Sequence, residues 1–155
     1  MFSANHPEIY RQYAYLSITG YGPSDDITKI LKITPSDEWS EGDPWKDKPP
    51  NEKRFSTSWR LNSGLKETES LNAHIRVLLR NLRRKRLELL SLTGKYDVKV
   101  VCVSYNLQSF SFELDFELQR TLTDFGLRLW FDAYIDHQAH ETIADLRQQL
   151  SQYQK

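Results

Sequence analysis

Val98-Lys99-Val100-Val101-Cys102-Val103 places apolar side chains on both faces of an extended chain. Such a pattern is typical of a strand in the middle of a sheet, because both faces of a central strand are covered. We therefore take residues 98–103 as the centre of the predicted sheet.

Two further strands and a helix are predicted on the C-terminal side. Residues 105–108 are expected to turn the chain into a partner strand, in which Phe110, Phe112 and Leu114 face inward. A helix then begins after Asp115 and ends at Gly126. Alternation over residues 127–135 predicts the last strand, with Trp130 and Tyr134 on the face opposite to its main apolar positions, which are Leu127, Leu129, Phe131, Ala133 and Ile135.

The N-terminal side predicts two strands and two helices. A helix over residues 68–82 has the clearest apolar stripe, and the leucines up to residue 92 continue it before Gly94. A strand at 55–61 turns Phe55, Thr57, Trp59 and Leu61 inward. Residues 34–53, with four prolines, are expected to form a long loop. Before this loop come a short helix after Ser24 and a strand at 13–19, whose inward positions are Ala14, Leu16 and Ile18.

The resulting order is β-α-β-α-β-β-α-β plus a C-terminal helix. It predicts an α+β domain with a single mixed sheet of about five strands and helices packed on one face, in the manner of ferredoxin-like folds. At about 100–200 residues per domain, the 155 residues form one domain. Its core spans about residues 10–136, and residues 137–155 form a helical tail.

Composition favours a cytoplasmic protein without a membrane segment. No run approaches the roughly 18 apolar residues of a membrane span, and no signal peptide is recognisable. The lone Cys102 excludes an intramolecular disulfide. The 21 basic and 21 acidic residues cancel but are segregated: residues 24–52 and 96–145 are acidic, and residues 53–86 are basic.

Several short motifs, in their order and spacing, resemble a known family. They are Ile27-Thr28-Lys29-Ile30-Leu31-Lys32-Ile33-Thr34-Pro35, Glu41-Gly42-Asp43, Trp59-Arg60-Leu61, Leu71-Asn72-Ala73-His74-Ile75 with Leu78-Leu79, and Phe125-Gly126-Leu127-Arg128-Leu129-Trp130-Phe131-Asp132-Ala133-Tyr134. The resemblance is to the bacterial domain-of-unknown-function family numbered 4279, over roughly residues 13–135. It implies a small α+β domain and brings no activity, ligand or catalytic residue.

No enzyme signature is present, so we assign no catalytic residue and no cofactor. Phosphate-loop, dinucleotide, nucleophile-elbow and zinc-protease motifs are all missing from the sequence. A metal site could use His137 and His140 together with Asp136 or Glu141, although histidines at such a strand end more often cap or face solvent. An enzyme or metal-binding protein with an unrecognised site therefore stays an alternative.

A basic stripe is predicted on the long helix and just after it. It consists of Arg76, Arg80, Arg83, Arg84 and Arg86, with Lys85 among them. Phosphate binding needs such a stripe, which makes nucleic acid a second alternative. The neutral net charge and the absence of an RNA-recognition signature argue against that alternative, and a solvated face or an acidic protein partner explains the same residues.

Aromatic residues in polar surroundings favour a protein-binding module. Trp39 and Trp45 lie among acidic residues in the proline-rich loop, where they either bind a partner or fold back over the sheet edge. Trp130 and Tyr134 would join the outward tyrosines of residues 13–19 in one patch if their strands are neighbours. We therefore expect a non-enzymatic binding protein, with an immunity or antitoxin-like role as one possibility, whose partner is an unknown protein or a second copy in a homodimer.

Overall fold

A computed structural model describes residues 9–49, 51–107, 109–135 and 137–152, with side chains given from residue 11 and, after the last strand, from residue 144. The described chain contains five strands and five helices. In order they are β1 (Ile9–Gly20), α1 (Asp25–Leu31), β2 (Asp37–Trp39), β3 (Thr57–Asn62), α2 (Leu71–Leu82), α3 (Arg86–Leu92), β4 (Asp97–Asn106), α4 (Phe116–Asp124), β5 (Arg128–Ile135) and α5 (His137–Gln152).

The strands form one mixed sheet in the order β2-β3-β1-β4-β5, so the α+β prediction is confirmed. The N-terminal strand β1 lies at the centre, antiparallel to β3 and to β4. Only β4 and β5 pair in parallel, and α4 provides the crossover that parallel neighbours require. The two edges of the sheet are therefore β2, with three residues, and β5, with eight.

The core lies on one face of the sheet, because alternate strand residues meet the apolar stripes of the helices there. On the sheet side the fully covered residues include Leu16, Ile18, Trp59 and Val100. The helices contribute the other half of this cluster, with Ile27 and Leu31 from α1, Leu71, Ile75, Leu78, Leu79 and Leu82 from α2, Leu89 and Leu92 from α3, and Leu118 and Leu122 from α4.

The predicted strand at residues 110–114 is wrong. This segment is irregular, and its alternating apolar side chains cover the helix side of β5, where the Phe112 ring centroid lies 5.3 Å from that of Phe131. The Asn72 side chain of α2 holds it in place, because its amide donates to the Glu113 carbonyl at 2.8 Å and accepts from the Asp115 amide at 3.2 Å. Alternation here arises from packing onto a surface rather than from strand pairing.

The proline-rich region also differs from the predicted loop. It contains β2, which pairs with β3, and an isolated bridge between Pro44 and Lys53. Phe55 lies before β3 and is 87% exposed, so its predicted inward position is wrong. The fifth strand of the sheet is therefore β2, in place of residues 110–114.

Candidate functional site

The face of the sheet opposite the core carries aromatic and cationic side chains, whereas the buried residues of α1 to α4 belong to the core on the other face. We call this surface the open face. Strand register sets its rows, because directly paired residues point to the same side. Tyr15, Val101 and Trp130 form one row across β1, β4 and β5. The register places sixteen further residues on this face: Arg11, Tyr13, Ser17, Thr19, Asp37, Trp39, Ser58, Arg60, Asn62, Asp97, Lys99, Val103, Tyr105, Arg128, Asp132 and Tyr134.

The open face combines a buried floor with exposed aromatic rings. Val101 and Val103 form the floor, and each is only 4% exposed. Above them Trp130 and Tyr134 are 53% and 48% exposed. Partial burial raises the pKa of Tyr15, as it does for its neighbour Tyr13, so these two phenols stay neutral.

Cationic groups hold the rings in place. The Arg11 guanidinium lies 4.0 Å from the centroid of the Tyr105 ring, which in turn stacks on Tyr134 at 5.1 Å. Lys99 lies 4.6 Å from the Trp130 ring. Such cation–π contacts fix an aromatic surface without covering it. Trp130 and Tyr134 lie on the same face as the β1 tyrosines, but the two strands are not neighbours, because β4 lies between them.

Trp39 and Trp45 stack on the two sides of one arginine. The Arg54 guanidinium carbon lies 3.9 Å from the Trp39 ring and 3.8 Å from the Trp45 ring. Arg60 continues the stack between Trp39 at 5.4 Å and Tyr15 at 5.0 Å. Both tryptophans are half-buried. Trp39 is the last residue of the edge strand β2, and Arg54 links Trp45 to it, so the stack connects the proline-rich region to the open face.

The predicted basic stripe is exposed but divided by ion pairs. Arg76 binds Asp115 at 2.7 Å, and Arg86 binds Asp124 at 3.2 Å. Arg80, Arg83 and Arg84 make no ion pair within the described part of the chain. Two of the five arginines therefore bridge the helices to the segment around α4, which is a structural role.

No metal site is formed by the residues whose placement is described, since no three of their His, Cys, Asp and Glu side chains come together. The candidate ligands Asp136, His137, His140 and Glu141 lie outside the described side chains. A shallow depression of about 650 Å³ runs along α4, but its described lining holds no histidine or cysteine, and its one carboxylate, Asp124, already binds Arg86. Burial raises the pKa of the Cys102 thiol to about 12, so this residue is an inert part of the core.

His74 is a buried polar group that sequence analysis did not assign to the core. Its Nε2 donates to the Lys66 carbonyl at 3.1 Å, and its Nδ1 accepts from the Ser63 hydroxyl at 2.5 Å. Both contacts tie the loop after β3 to α2. Burial lowers the pKa of His74 from its ordinary 6.5, because the charged form is poorly solvated there.

We expect the free energy of unfolding to fall as pH drops below about 6.5, because His74 then binds a proton in the unfolded chain but stays neutral in the folded chain. The slope from one such group is at most about 1.4 kcal/mol per pH unit. Urea unfolding of the wild type and of His74→Gln at several pH values checks this. The difference between the two slopes isolates His74 from the other histidines, and equal slopes would contradict the assignment.

No helix in the described part of the chain is long and apolar enough to cross a membrane.

Comparison with known proteins gives one match. No curated protein and no solved structure matches the chain. The family model for the domain of unknown function DUF4279 matches residues 8–136. This range includes all five strands of the sheet and leaves out the C-terminal helix α5. The chain therefore belongs to the DUF4279 family.

Proposed function

We propose that this chain is a non-enzymatic, cytoplasmic protein-binding module of bacterial type, and that the open face is its binding surface. The observation that carries this proposal is the set of half-exposed rings, above all Trp130 and Tyr134, which lie over a buried valine floor and beside Arg11 and Lys99. Trp, Tyr and Arg are the residues in which binding energy at protein interfaces is concentrated.

The geometry supports binding rather than catalysis. The rings are fixed before a partner arrives, so little side-chain entropy is lost on association. In the depression along α4 the one lining carboxylate, Asp124, already binds Arg86. An immunity or antitoxin-like role fits such a small, preorganised binder and is the specific form of the proposal that we favour.

Affinity capture with a matched control tests this proposal. Tagged wild-type chain is expected to retain a stoichiometric protein from a lysate of its source cell, and Trp130→Ala/Tyr134→Ala is expected to lose it, because the double change removes the exposed rings and leaves the core intact. Phe116→Ala removes an aromatic side chain that is 69% exposed on α4, away from the open face, and should behave as the wild type.

Two outcomes would contradict the proposal. One is a wild-type bait that retains no stoichiometric protein. The other is a partner that the double variant and Phe116→Ala retain equally.

A further inference from the structure

The two edges of the sheet are protected very differently. β2 has three residues, two of them acidic, and the Arg54 stack lies beside it. Short, charged edge strands resist pairing with another chain. β5 has eight residues without proline, and its Trp130, Phe131, Tyr134 and Ile135 are 42–53% exposed. Within the described chain, nothing pairs with the outer edge of β5.

We propose that β5 pairs antiparallel with β5 of a second copy of this chain, about a two-fold axis that passes through Trp130. This inference rests on the proposed binding role of the open face and names its partner. Such an axis stands perpendicular to the sheet, so the helices of both copies stay on one side and the two open faces join into one surface.

Charge selects this register. Directly opposed residues of an antiparallel pair point to the same face. The axis must therefore place one residue opposite its own copy, because an axis between two consecutive residues would oppose side chains of different faces. With Trp130 at the axis, Arg128 faces Asp132 of the second copy, and the same pair occurs twice. The two tryptophans then face each other at the centre.

Neighbouring registers lose this complementarity. An axis through Asp132 places two carboxylates opposite each other, which is unfavourable. An axis through Phe131 places Arg128 opposite Tyr134 and Trp130 opposite Asp132. Only the Trp130 register joins opposite charges across the new pair of strands.

The test reverses the charge at residue 128 or at residue 132 and then mixes the two variants. Arg128→Asp leaves two acids in each copy, and Asp132→Arg leaves two bases, so each variant alone faces only like charges. We expect each to raise the dimer dissociation constant about tenfold or more in sedimentation equilibrium. An equal mixture is expected to form a heterodimer, because every acid then faces a base.

Arg120→Asp is the matched control, since it reverses an exposed charge on α4 and should leave the dimer unchanged. Arg128 also binds Asp97. Lys99 binds the same carboxylate at 2.9 Å, so Asp97 keeps one cationic partner when Arg128 is replaced.

A measurement on the wild type alone avoids any folding defect. Hydrogen exchange of the β5 amides should speed up on dilution, while that of β1 should not.

Three results would overturn the inference. They are a wild-type chain that stays monomeric at every concentration, β5 exchange that ignores dilution, and charge variants whose self-association equals that of Arg120→Asp. If the chain is monomeric but still retains another protein through Trp130, self-pairing of β5 is overturned and the proposed binding role stands. If the chain dimerises but retains no other protein through Trp130, self-pairing is the use of the open face.

Discussion

Trp59→Ala is expected to lower the free energy of unfolding by about 3–5 kcal/mol. The Trp59 side chain is completely buried, and its indole N–H donates to the Thr28 hydroxyl at 2.9 Å. The substitution therefore leaves a large cavity between β3 and α1 and removes the partner of Thr28. Since small domains are stable by only about 5–15 kcal/mol, the loss is a large part of the total. Urea unfolding followed by circular dichroism measures it.

Trp130→Ala is the matched control, because it deletes the same side chain from the surface. It should change the free energy of unfolding by no more than about 0.5 kcal/mol. Trp59→Phe keeps most of the volume and should fall between the two. Equal stability of Trp59→Ala and Trp130→Ala would contradict the burial of Trp59 in the core.

Gly20→Ala is expected to lower the free energy of unfolding by about 1–3 kcal/mol through overpacking. A Cβ at Gly20 would lie 2.6 Å from Cδ1 of the Tyr96 ring. Tyr96 is 6% exposed and packs in the core at the start of β4, so the ring has little room to move. Thermal or urea unfolding of the variant gives the magnitude.

A double-mutant cycle identifies the cause. If the clash is responsible, Gly20→Ala should cost much less in a Tyr96→Leu background, where the ring is gone. Gly64→Ala provides a control with open space around the new methyl group, so its cost comes only from its positive φ. An unchanged cost of Gly20→Ala in the Tyr96→Leu background would contradict the packing explanation.

The strands and helices with a single buried face were predictable from the sequence. Leu16 and Ile18 of β1 alternate with polar or aromatic residues, and their faces are as expected. The face of Trp130 and Tyr134 was also predicted, because period-two alternation in β5 fixes which side each residue occupies.

The errors arose where tertiary contacts override local pattern. Phe110 and Phe112 alternate as in a strand, but the place beside β4 is taken by β5, so they cover Phe131 instead. β2 was missed because three residues among prolines and charges give no periodic signal. The packing of Gly20 against Tyr96 was not predicted, because it depends on a residue far along the chain.

Part of the candidate site could also be predicted from the sequence. Alternation places Tyr13, Tyr15, Trp130 and Tyr134 on outward faces. It did not place Tyr105, which was predicted in a turn, or Trp39, which was predicted in a loop. The cations could not be predicted either, because Arg11 and Arg54 reach their aromatic partners only through the fold. The buried role of His74 was also hidden, since its partners Ser63 and Lys66 lie in an irregular loop.

The central position of β1 has a consequence for synthesis of the chain. Its register with β4 joins Ile9 to Asn106, so β1 can pair early with β3 but finds its second neighbour only after about a hundred residues have been made. A nascent chain that ends before β4 exposes one whole edge of β1. Because such distant pairing slows folding and leaves a strand edge open meanwhile, we expect this edge of β1 to be exposed to pairing with other chains until β4 has been made.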